Sequence, residues 1–425
     1  MQVSARKVAL TILVAAFLVL IYPLSAKAVE LQRNLSMGCR GWDVTLLQNQ
    51  LAKLGYFTVN STGYFGPITY DAVIRFEQDW GLTPDGVVTK KEWRLLFPQT
   101  SRQLPLRTGK RVIFGYYPVD YPGDKAAYRS LASFGQYISA IGIFSLCVDS
   151  RGNLRGTFPG EGVALANKFG DKSILVLHNC HDGYFDRWLI HNLLTNQSVQ
   201  DTFFENLLKL LRTNGLHGVN VDFENIPPTD RERFNSFLIK LASILKPAGY
   251  SFSVTMPAKT WDDRKSSWSG AFDYQLIGKI SDYVVLMTYD EHWFSGKPGP
   301  IASLPWVIKV LDYAITQIPR HKILMGVAAY GYDWSARGTQ MIGWNKMNQL
   351  INKYGWDKVC WDNTACAPYL RYWDAGGVYH EVWFENKYSL KIKLGLIKSY
   401  NLAGIGIWRL GFEDAVFWET VRSSL

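Results

Sequence analysis

Little in this 425-residue sequence points to a metal, a nucleotide or a nucleic acid. Its five cysteines and seven histidines show no spacing typical of a zinc site, and no glycine-rich loop precedes a Lys-Ser/Thr pair. The 46 Lys and Arg outnumber the 36 Asp and Glu, but they form no clustered basic face. We therefore expect no metal, no cofactor and no nucleic-acid partner.

Charge and long apolar runs are also scarce. Charged residues make up 19% of the chain and hydrophobic residues 48%, which excludes a coiled coil, a collagen and an acidic-tail protein. Beyond the N-terminus no segment approaches about 18 apolar residues, which excludes a multi-span membrane protein. Aromatic residues, in contrast, reach 14%, a share that by itself does not separate a nucleic-acid binder from an enzyme whose polymeric substrate stacks against rings.

Residues 1–28 have the features of an export signal. Arg6 and Lys7 precede an apolar run from Ala9 to Ile21, and Ala26-Lys27-Ala28 is a small-x-small cleavage site. This pattern predicts a protein that is exported from the cytoplasm, with no stable membrane insertion after signal cleavage. An uncleaved N-terminal anchor is the alternative. Cleavage removes three basic residues and lowers the formal net charge from +10 to +7.

Five cysteines in an exported chain leave one over. Cys360 and Cys366 enclose a short polar loop and are the best disulfide pair. Cys147 and Cys180 end two strand-like runs, where a disulfide and two buried thiols fit equally well. Cys39 is then the remaining thiol.

Residues 34–97 have the pattern of three short helices. Asp43 is predicted to cap the first, a second covers 68–80, and Thr89 with Glu92 forms a capping box that opens the third. The segments GCRGWDVTLLQNQLAKLGYF and GYFGPITYDAVIRFEQDWGLTPDGVVTKKEW resemble the three-helix peptidoglycan-binding domain over its whole length. The resemblance implies binding to bacterial cell-wall glycopeptide. Residues 98–110 lack periodicity and read as a linker.

From residue 111 to 425, apolar strand-like runs alternate with helical patterns. Continuous apolar strands separated by helices favour an α/β fold, a (β/α)8 TIM barrel, and residues 335–385 before the last strand predict a small α+β insertion. The eight runs are 111–118, 137–148, 173–180, 218–225, 251–258, 282–290, 323–334 and 404–411.

Chemistry in such a barrel lies at the carboxyl ends of the strands. Because alternate strand residues share a face, Asn220, Asp222 and Glu224 should point together into the barrel. Two neighbouring carboxylates should keep one of them protonated near neutral pH, as a glycosidic leaving oxygen requires. A buried polar network without a catalytic role is the alternative. Tyr289 and Trp408, also at strand ends, suggest a sugar-stacking cleft.

Four motifs on four predicted strands resemble family 18 of the glycoside hydrolases. HGVNVDFEN is similar to the fourth-strand motif Asp-Gly-x-Asp-x-Asp-x-Glu, and MTYD is similar to the sixth-strand Met-x-Tyr-Asp. Trp408 matches the eighth-strand tryptophan beneath the cleaved sugar, and Tyr116 matches the Gly-Tyr of the first strand. The stretches APYLRYWDAGGVYHEVWFEN and LAGIGIWRLGFED look most like the branch of spore-cortex N-acetylglucosaminidases.

This resemblance implies a substrate-assisted mechanism with a single catalytic glutamate. Glu224 would protonate the leaving oxygen and then act as a base. Asp222 would orient the substrate's acetamido group, and Tyr289 would hydrogen-bond its oxygen. The substrate-binding residues implied are Asn220, Asp290, Trp408, Tyr116 and Met287.

Two positions depart from the family pattern. His217 stands where the fourth-strand motif has its first Asp, and Asn220 stands where many members have the second. Neither is the proposed acid. We therefore expect these changes, through the charge near Asp222, to affect the pH optimum more than the activity.

Together these features predict an exported, monomeric glycoside hydrolase that cleaves β-1,4 bonds after N-acetylglucosamine in peptidoglycan. Its N-terminal domain would anchor it to the wall. A chitinase or chitooligosaccharide hydrolase, or a non-catalytic lectin on the same barrel, are the alternatives. The sequence does not distinguish vegetative wall from spore cortex as the substrate, or endo from exo action.

Overall fold

The computed structural model describes residues 31, 33–80, 82–97, 111–181 and 183–425. The export signal predicted at 1–28 and the linker predicted at 98–110 lie outside these described residues. Within the described ranges, each helix is too short or too polar to cross a bilayer.

The strands and helices are numbered in chain order. The strands are β1 (Val112–Pro118), β2 (Ala140–Phe144), β3 (Leu146–Val148), β4 (Leu154–Gly156), β5 (Lys172–His178), β6 (Cys180–His181), β7 (Tyr184–Phe185), β8 (Gly218–Asp222), β9 (Ser251–Pro257), β10 (Tyr283–Met287), β11 (Ile323–Ala328), β12 (Tyr330–Ser335), β13 (Gly338–Gly343), β14 (Val359–Asp362), β15 (Ala367–Trp373), β16 (Tyr379–Trp383) and β17 (Gly404–Trp408). The α-helices are α1 (Trp42–Lys53), α2 (Pro67–Trp80), α3 (Lys90–Leu96), α4 (Ala126–Phe134), α5 (Gly160–Phe169), α6 (Arg187–Thr195), α7 (Gln197–Thr213), α8 (Arg231–Leu245), α9 (Tyr274–Ile280), α10 (Leu304–Gln317), α11 (Trp344–Tyr354), α12 (Lys387–Ser399) and α13 (Ala415–Ser424).

The three N-terminal helices enclose a hydrophobic core of their own. Gln48 is buried between them. Its Nε2 donates hydrogen bonds to Thr69 Oγ1 (2.8 Å) and to the Tyr64 carbonyl oxygen (2.9 Å). The predicted cap of α1 is wrong: Gly41 is the N-cap, and the Asp43 carboxylate instead accepts a hydrogen bond from Arg33 Nε at 2.9 Å. The sequence pattern around Asp43 did not reveal this partner, because Arg33 lies ten residues earlier in the chain.

Eight parallel strands close into a barrel in the order β2-β1-β17-β11-β10-β9-β8-β5, and β5 pairs back onto β2. The (β/α)8 prediction is therefore confirmed. Side chains alternate as the pleat requires. Val219 and Val221 pack outward in the main core, while Tyr116, Val176 and Val285 fill the barrel interior.

The seventh predicted run divides between two sheets. Its first part is β11 in the barrel, but β12 starts at Tyr330 and pairs antiparallel with β13 and β16, so that Tyr332 faces Met341 and Trp383. The five-stranded sheet of the insertion therefore begins five residues before the predicted position 335. Both strands are buried, β11 with mainly aliphatic and β12 with mainly aromatic side chains, so burial alone did not reveal the break between them.

The anticipated bridge between Cys360 and Cys366 is absent from this sheet. The β14–β15 hairpin pairs Cys360 with Tyr369, while Cys366 lies in the turn, with its Sγ 3.5 Å from the Asn363 carbonyl. The two thiols are thus out of register. Cys147 and Cys180 are half-buried thiols.

Gly326→Ala should destabilise the barrel and disturb its mouth. A Cβ at this inward position of β11 would lie 2.4 Å from the Leu286 carbonyl oxygen and 2.8 Å from the Tyr289 ring. We expect a loss of about 1–3 kcal/mol in the free energy of unfolding, measured by urea titration. The control is Gly395→Ala in α12, where the Cβ meets nothing within 4 Å. The higher helix propensity of alanine should there increase the free energy of unfolding by at most about 1 kcal/mol. An unchanged Gly326→Ala variant would contradict this packing.

Candidate active site

Strand β8 delivers two acidic side chains to the mouth of the barrel. Asn220 and Asp222 are inward and buried, and Glu224 follows two residues past the strand end, half-buried. Burial raises the pKa of Asp222 to about 7. Burial, and then the charges of Asp222 and Asp290, raise the pKa of Glu224 well above its usual range. The pair therefore retains a proton at neutral pH, as a general acid needs.

Below the pair lies a chain of neutral hydrogen bonds. Thr255 Oγ1 donates to Asn220 Oδ1 (2.8 Å), so Tyr116 must donate its hydroxyl proton to Thr255 (2.5 Å). Asn220 Nδ2 donates to Ser253 Oγ (3.1 Å), which donates onward to the Val219 carbonyl (3.2 Å). Asn220 is thus fixed in orientation and adds no charge beneath Asp222.

Asn179, a residue that sequence reasoning missed, holds the backbone of Glu224. Its Oδ1 accepts from the Glu224 N–H at 2.9 Å, and its Nδ2 donates to the Glu224 carbonyl at 3.0 Å. The same Nδ2 also donates to the Asp186 carbonyl. A fully buried amide that spans two loops fixes where the glutamate side chain begins. The available signal was an asparagine directly after a buried strand.

The loop after β10 supplies Tyr289 and Asp290. Tyr289 is buried, and burial with the surrounding acids keeps the pKa of its hydroxyl well above its usual range, so it stays a neutral donor. Asp290 has a φ of 60° and accepts hydrogen bonds from Tyr330 and, at 3.2 Å, from Tyr332. Asp290 as a whole residue is exposed, but enclosure of its carboxyl group raises the pKa of Asp290 to about 6, although these two bonds oppose the shift.

Trp408, at the end of β17, is half-buried at the same mouth. Its ring meets Tyr116 edge-on at 5.2 Å and Phe144 at 4.9 Å, and these contacts fix its plane. The half-buried Met287 packs with Trp408 and Tyr289 in one aromatic cluster. The structure therefore brings all the residues predicted for the site to one end of the barrel.

His217 lies elsewhere. It precedes β8 at the amino end of the strand and is exposed, and its Nδ1 accepts from the Ser173 N–H at 3.1 Å. Asp222 ends the same strand five residues later, on the order of 16 Å away at 3.3 Å per residue. The expected influence of His217 on the charge near Asp222 is therefore wrong. Among the described residues, no group of three His, Cys, Asp or Glu could hold a metal ion.

Comparison with known families identifies both parts of the chain. The model described as "Glycosyl hydrolases family 18" matches residues 187–413, and the one described as "Putative peptidoglycan binding domain" matches 40–96. A protonated acid pair at the mouth of a (β/α)8 barrel, with this match, defines a glycosidase.

Relatives support the same assignment. The Bacillus subtilis (strain 168) protein "Uncharacterized glycosylase YvbX" is 33% identical over 71% of this chain and 88% of its own. The Bacillus cereus "Cortical fragment-lytic enzyme" is 33% identical over 71% of both chains. The chain belongs to family 18 of the glycosyl hydrolases.

Solved structures agree. The Bacillus cereus spore cortex-lytic enzyme SleL superposes with a TM-score of 0.70 at 27% identity, covering 83% of this chain and 84% of that one. A chitinase from Chromobacterium violaceum gives a TM-score of 0.68 at 29% identity, covering 74% of this chain and 99% of that one.

Asn179→Ala should slow the glycosidase without weakening substrate binding. Both backbone bonds to Glu224 would be lost, and a displaced catalytic group costs about 10- to 100-fold in kcat. Steady-state assays on an N-acetylglucosamine polymer measure kcat and KM separately. The matched control is Asn192→Ala on α6, which removes a hydrogen bond from the side-chain amide to the Ser150 carbonyl. Equal kcat values for both variants would rule out a positioning role.

Asp222→Asn should stabilise the fold near neutral pH. The carboxyl has an ordinary pKa of 3.8 and a folded pKa of about 7, so the unfolded chain releases its proton first. Wild-type stability therefore falls as the pH rises through that window. We expect the amide variant to gain on the order of 1–4 kcal/mol above about pH 7 and nothing below about pH 4. Urea unfolding at both pH values measures this gain, and a pH-independent difference would contradict it.

Proposed function

We propose that this protein is an exported glycoside hydrolase that cleaves peptidoglycan after N-acetylglucosamine, with retention of configuration. The observation that carries the proposal is the Asp222–Glu224 pair at the barrel mouth, where the raised pKa values keep a proton on the pair beside the neutral hydroxyl of Tyr289. A glutamic acid that stays protonated at neutral pH can donate to a leaving oxygen.

In this proposal the substrate supplies the nucleophile. Glu224 protonates the glycosidic oxygen while the carbonyl oxygen of the substrate's own acetamido group attacks C1 from the opposite face, forming an oxazolinium-like intermediate. The Asp222 carboxylate stabilises the positive charge that develops on the acetamido nitrogen, and the Tyr289 hydroxyl donates a hydrogen bond to the acetamido oxygen. Glu224, now ionised, then removes a proton from water. The water attacks C1 and opens the oxazolinium ring, which restores the acetamido group.

The remaining site residues hold the reacting sugar. Trp408 offers a ring for the sugar to stack on, and Tyr116 and Met287 pack around it. Asp290, ordered by two tyrosine hydroxyls, and Asn220, ordered by Ser253 and Thr255, keep the surrounding groups in place.

Three observations favour peptidoglycan as the polymer. The helical unit belongs to a family described by peptidoglycan binding, and it would hold the barrel against the wall. The relatives in Bacillus cereus and Bacillus anthracis carry the name cortical fragment-lytic enzyme. A net positive charge would also attract the chain to an anionic envelope. The proposed location is therefore the cell wall or spore envelope.

Chitin is the second candidate. The similarity to the Chromobacterium violaceum chitinase covers nearly all of that enzyme, and chitin also presents an acetamido group at every sugar. Parallel assays on chitin, vegetative wall and spore cortex separate the candidates. Faster turnover of chitin than of either wall preparation would favour the chitinase.

Glu224→Gln should abolish most turnover while substrate binding persists. The amide cannot donate the proton, so kcat should fall by a factor on the order of 100 to 10,000. Release of reducing ends from purified peptidoglycan measures turnover, and co-sedimentation with the wall measures binding. Glu232→Gln, an exposed acid on α8, is the control. A wild-type rate in the Glu224 variant would overturn its assignment as the acid.

The bond that is cleaved follows from the same chemistry. Only a sugar that carries an N-acetyl group can supply the acetamido nucleophile, and a muramic residue in the reacting position would bring the added bulk of its lactyl ether. Digested peptidoglycan should therefore end in N-acetylglucosamine, as shown by borohydride reduction and mass spectrometry. Reduced muramic ends would contradict the proposal.

A further inference from the structure

A histidine that the proposed mechanism does not use lies beside the catalytic pair. His178 ends β5, and its position in the ladder is directly opposite Asp222 on β8. Neighbouring strands are about 4.8 Å apart, and both residues lie on the inward face of the barrel. His178 is only 5% exposed, and its ring stacks on Phe144 at 4.0 Å with a 10° angle between the planes.

The hydrogen bonds of His178 define where its proton is. The Cys180 N–H donates to Nδ1 at 3.3 Å, so Nδ1 is an acceptor and the neutral ring carries its proton on Nε2. Burial lowers the pKa of His178 to about 4, so the ring is neutral at physiological pH. Nε2 is buried and has no hydrogen-bond partner among the described residues.

Asp222 has the complementary deficiency. Its Oδ1 is also buried without a hydrogen-bond partner in the described part of the chain. Asn220, the adjacent inward residue, already serves Ser253 and Thr255. Such isolated buried polar atoms are uncommon in native proteins. Here one donor and one acceptor stand on neighbouring strands at the same level.

We propose that His178 is a positioning residue for Asp222, donating its Nε2–H to the Asp222 carboxylate, directly or through one water, when that carboxylate is ionised. This inference rests on the proposed function, since only a glycosidase in which Asp222 stabilises the intermediate needs that charge. A neutral donor favours the ionised carboxylate without adding a positive charge to the site.

The other titratable groups around Asp222 would not replace this donor. They are Tyr116 from β1, Cys180 after β5, Glu224 after β8, and Tyr289 and Asp290 after β10. None is a cation, so none of them would stabilise the ionised carboxylate of Asp222, whose pKa is raised by burial. Removal of the His178 donor should therefore raise the pH at which Asp222 becomes charged.

Two substitutions at His178 separate the hydrogen bond from packing. His178→Phe keeps a flat ring against Phe144 but has no donor. We expect kcat to fall about 10- to 100-fold with KM nearly unchanged, and the acid limb of the pH–kcat profile to move up by about one unit. His178→Gln, whose amide nitrogen reaches about as far as Nε2, should recover most of both losses.

His217→Gln, at the exposed amino end of β8, is the matched control and should keep the wild-type profile. Thermal unfolding confirms that each variant is folded. A His178→Phe variant with wild-type kcat and acid limb would overturn the proposal, as would a glutamine variant no better than phenylalanine.

A second measurement is independent of turnover. Nitrogen NMR of the full-length protein reports the tautomer and the Nε2 shift of His178. The proposal predicts an Nε2–H tautomer whose Nε2 resonance moves in Asp222→Asn, and identical spectra for the two proteins would refute it. This readout keeps its meaning if no glycan is cleaved, so failure of the proposed function and failure of the His178 contact are distinguishable.

Discussion

The site depends on one constraint, which is that a buried carboxyl group at the end of β8 and a half-buried one two residues beyond it share the mouth of the barrel. In the low dielectric of the barrel mouth, Asp222 and Glu224 cannot both be ionised near neutral pH. Their surroundings preserve this arrangement: the layer beneath is neutral, with Asn220 held by hydroxyl groups, and the backbone of Glu224 is fixed by Asn179. Retained protonation is a property of this environment as a whole.

Much of this environment could be predicted because it depends on alternation. A strand period of two determines that Asn220 and Asp222 share the inward face, and the barrel determines which end of the strand carries the chemistry. The predicted barrel order already places the run SILVLHNC beside the strand that carries Asp222. Asn179 and His178 escaped prediction because their roles depend on the register between these two strands and on contacts between the loops that follow them.

Other differences have equally local causes. The break between β11 and β12 lies inside one apolar run, so its position depends on which sheet each half joins. The aromatic residues are similarly divided by context. Trp344 and Tyr372 of the insertion are buried core, whereas Trp356 and Trp373 are about two-thirds exposed. Composition predicted that rings matter but not which of them are free to meet a sugar.

The central claim is that the buried acid pair supports catalysis by the substrate's acetamido group, and the stereochemistry of the first product tests it most directly. Proton NMR during the first minutes of digestion, before mutarotation, distinguishes the two anomers of the new reducing end. Attack by the acetamido group followed by water inverts C1 twice, so the β-anomer should be released first. Initial release of the α-anomer would mean that water attacks directly, and it would contradict the roles assigned to Asp222 and Glu224.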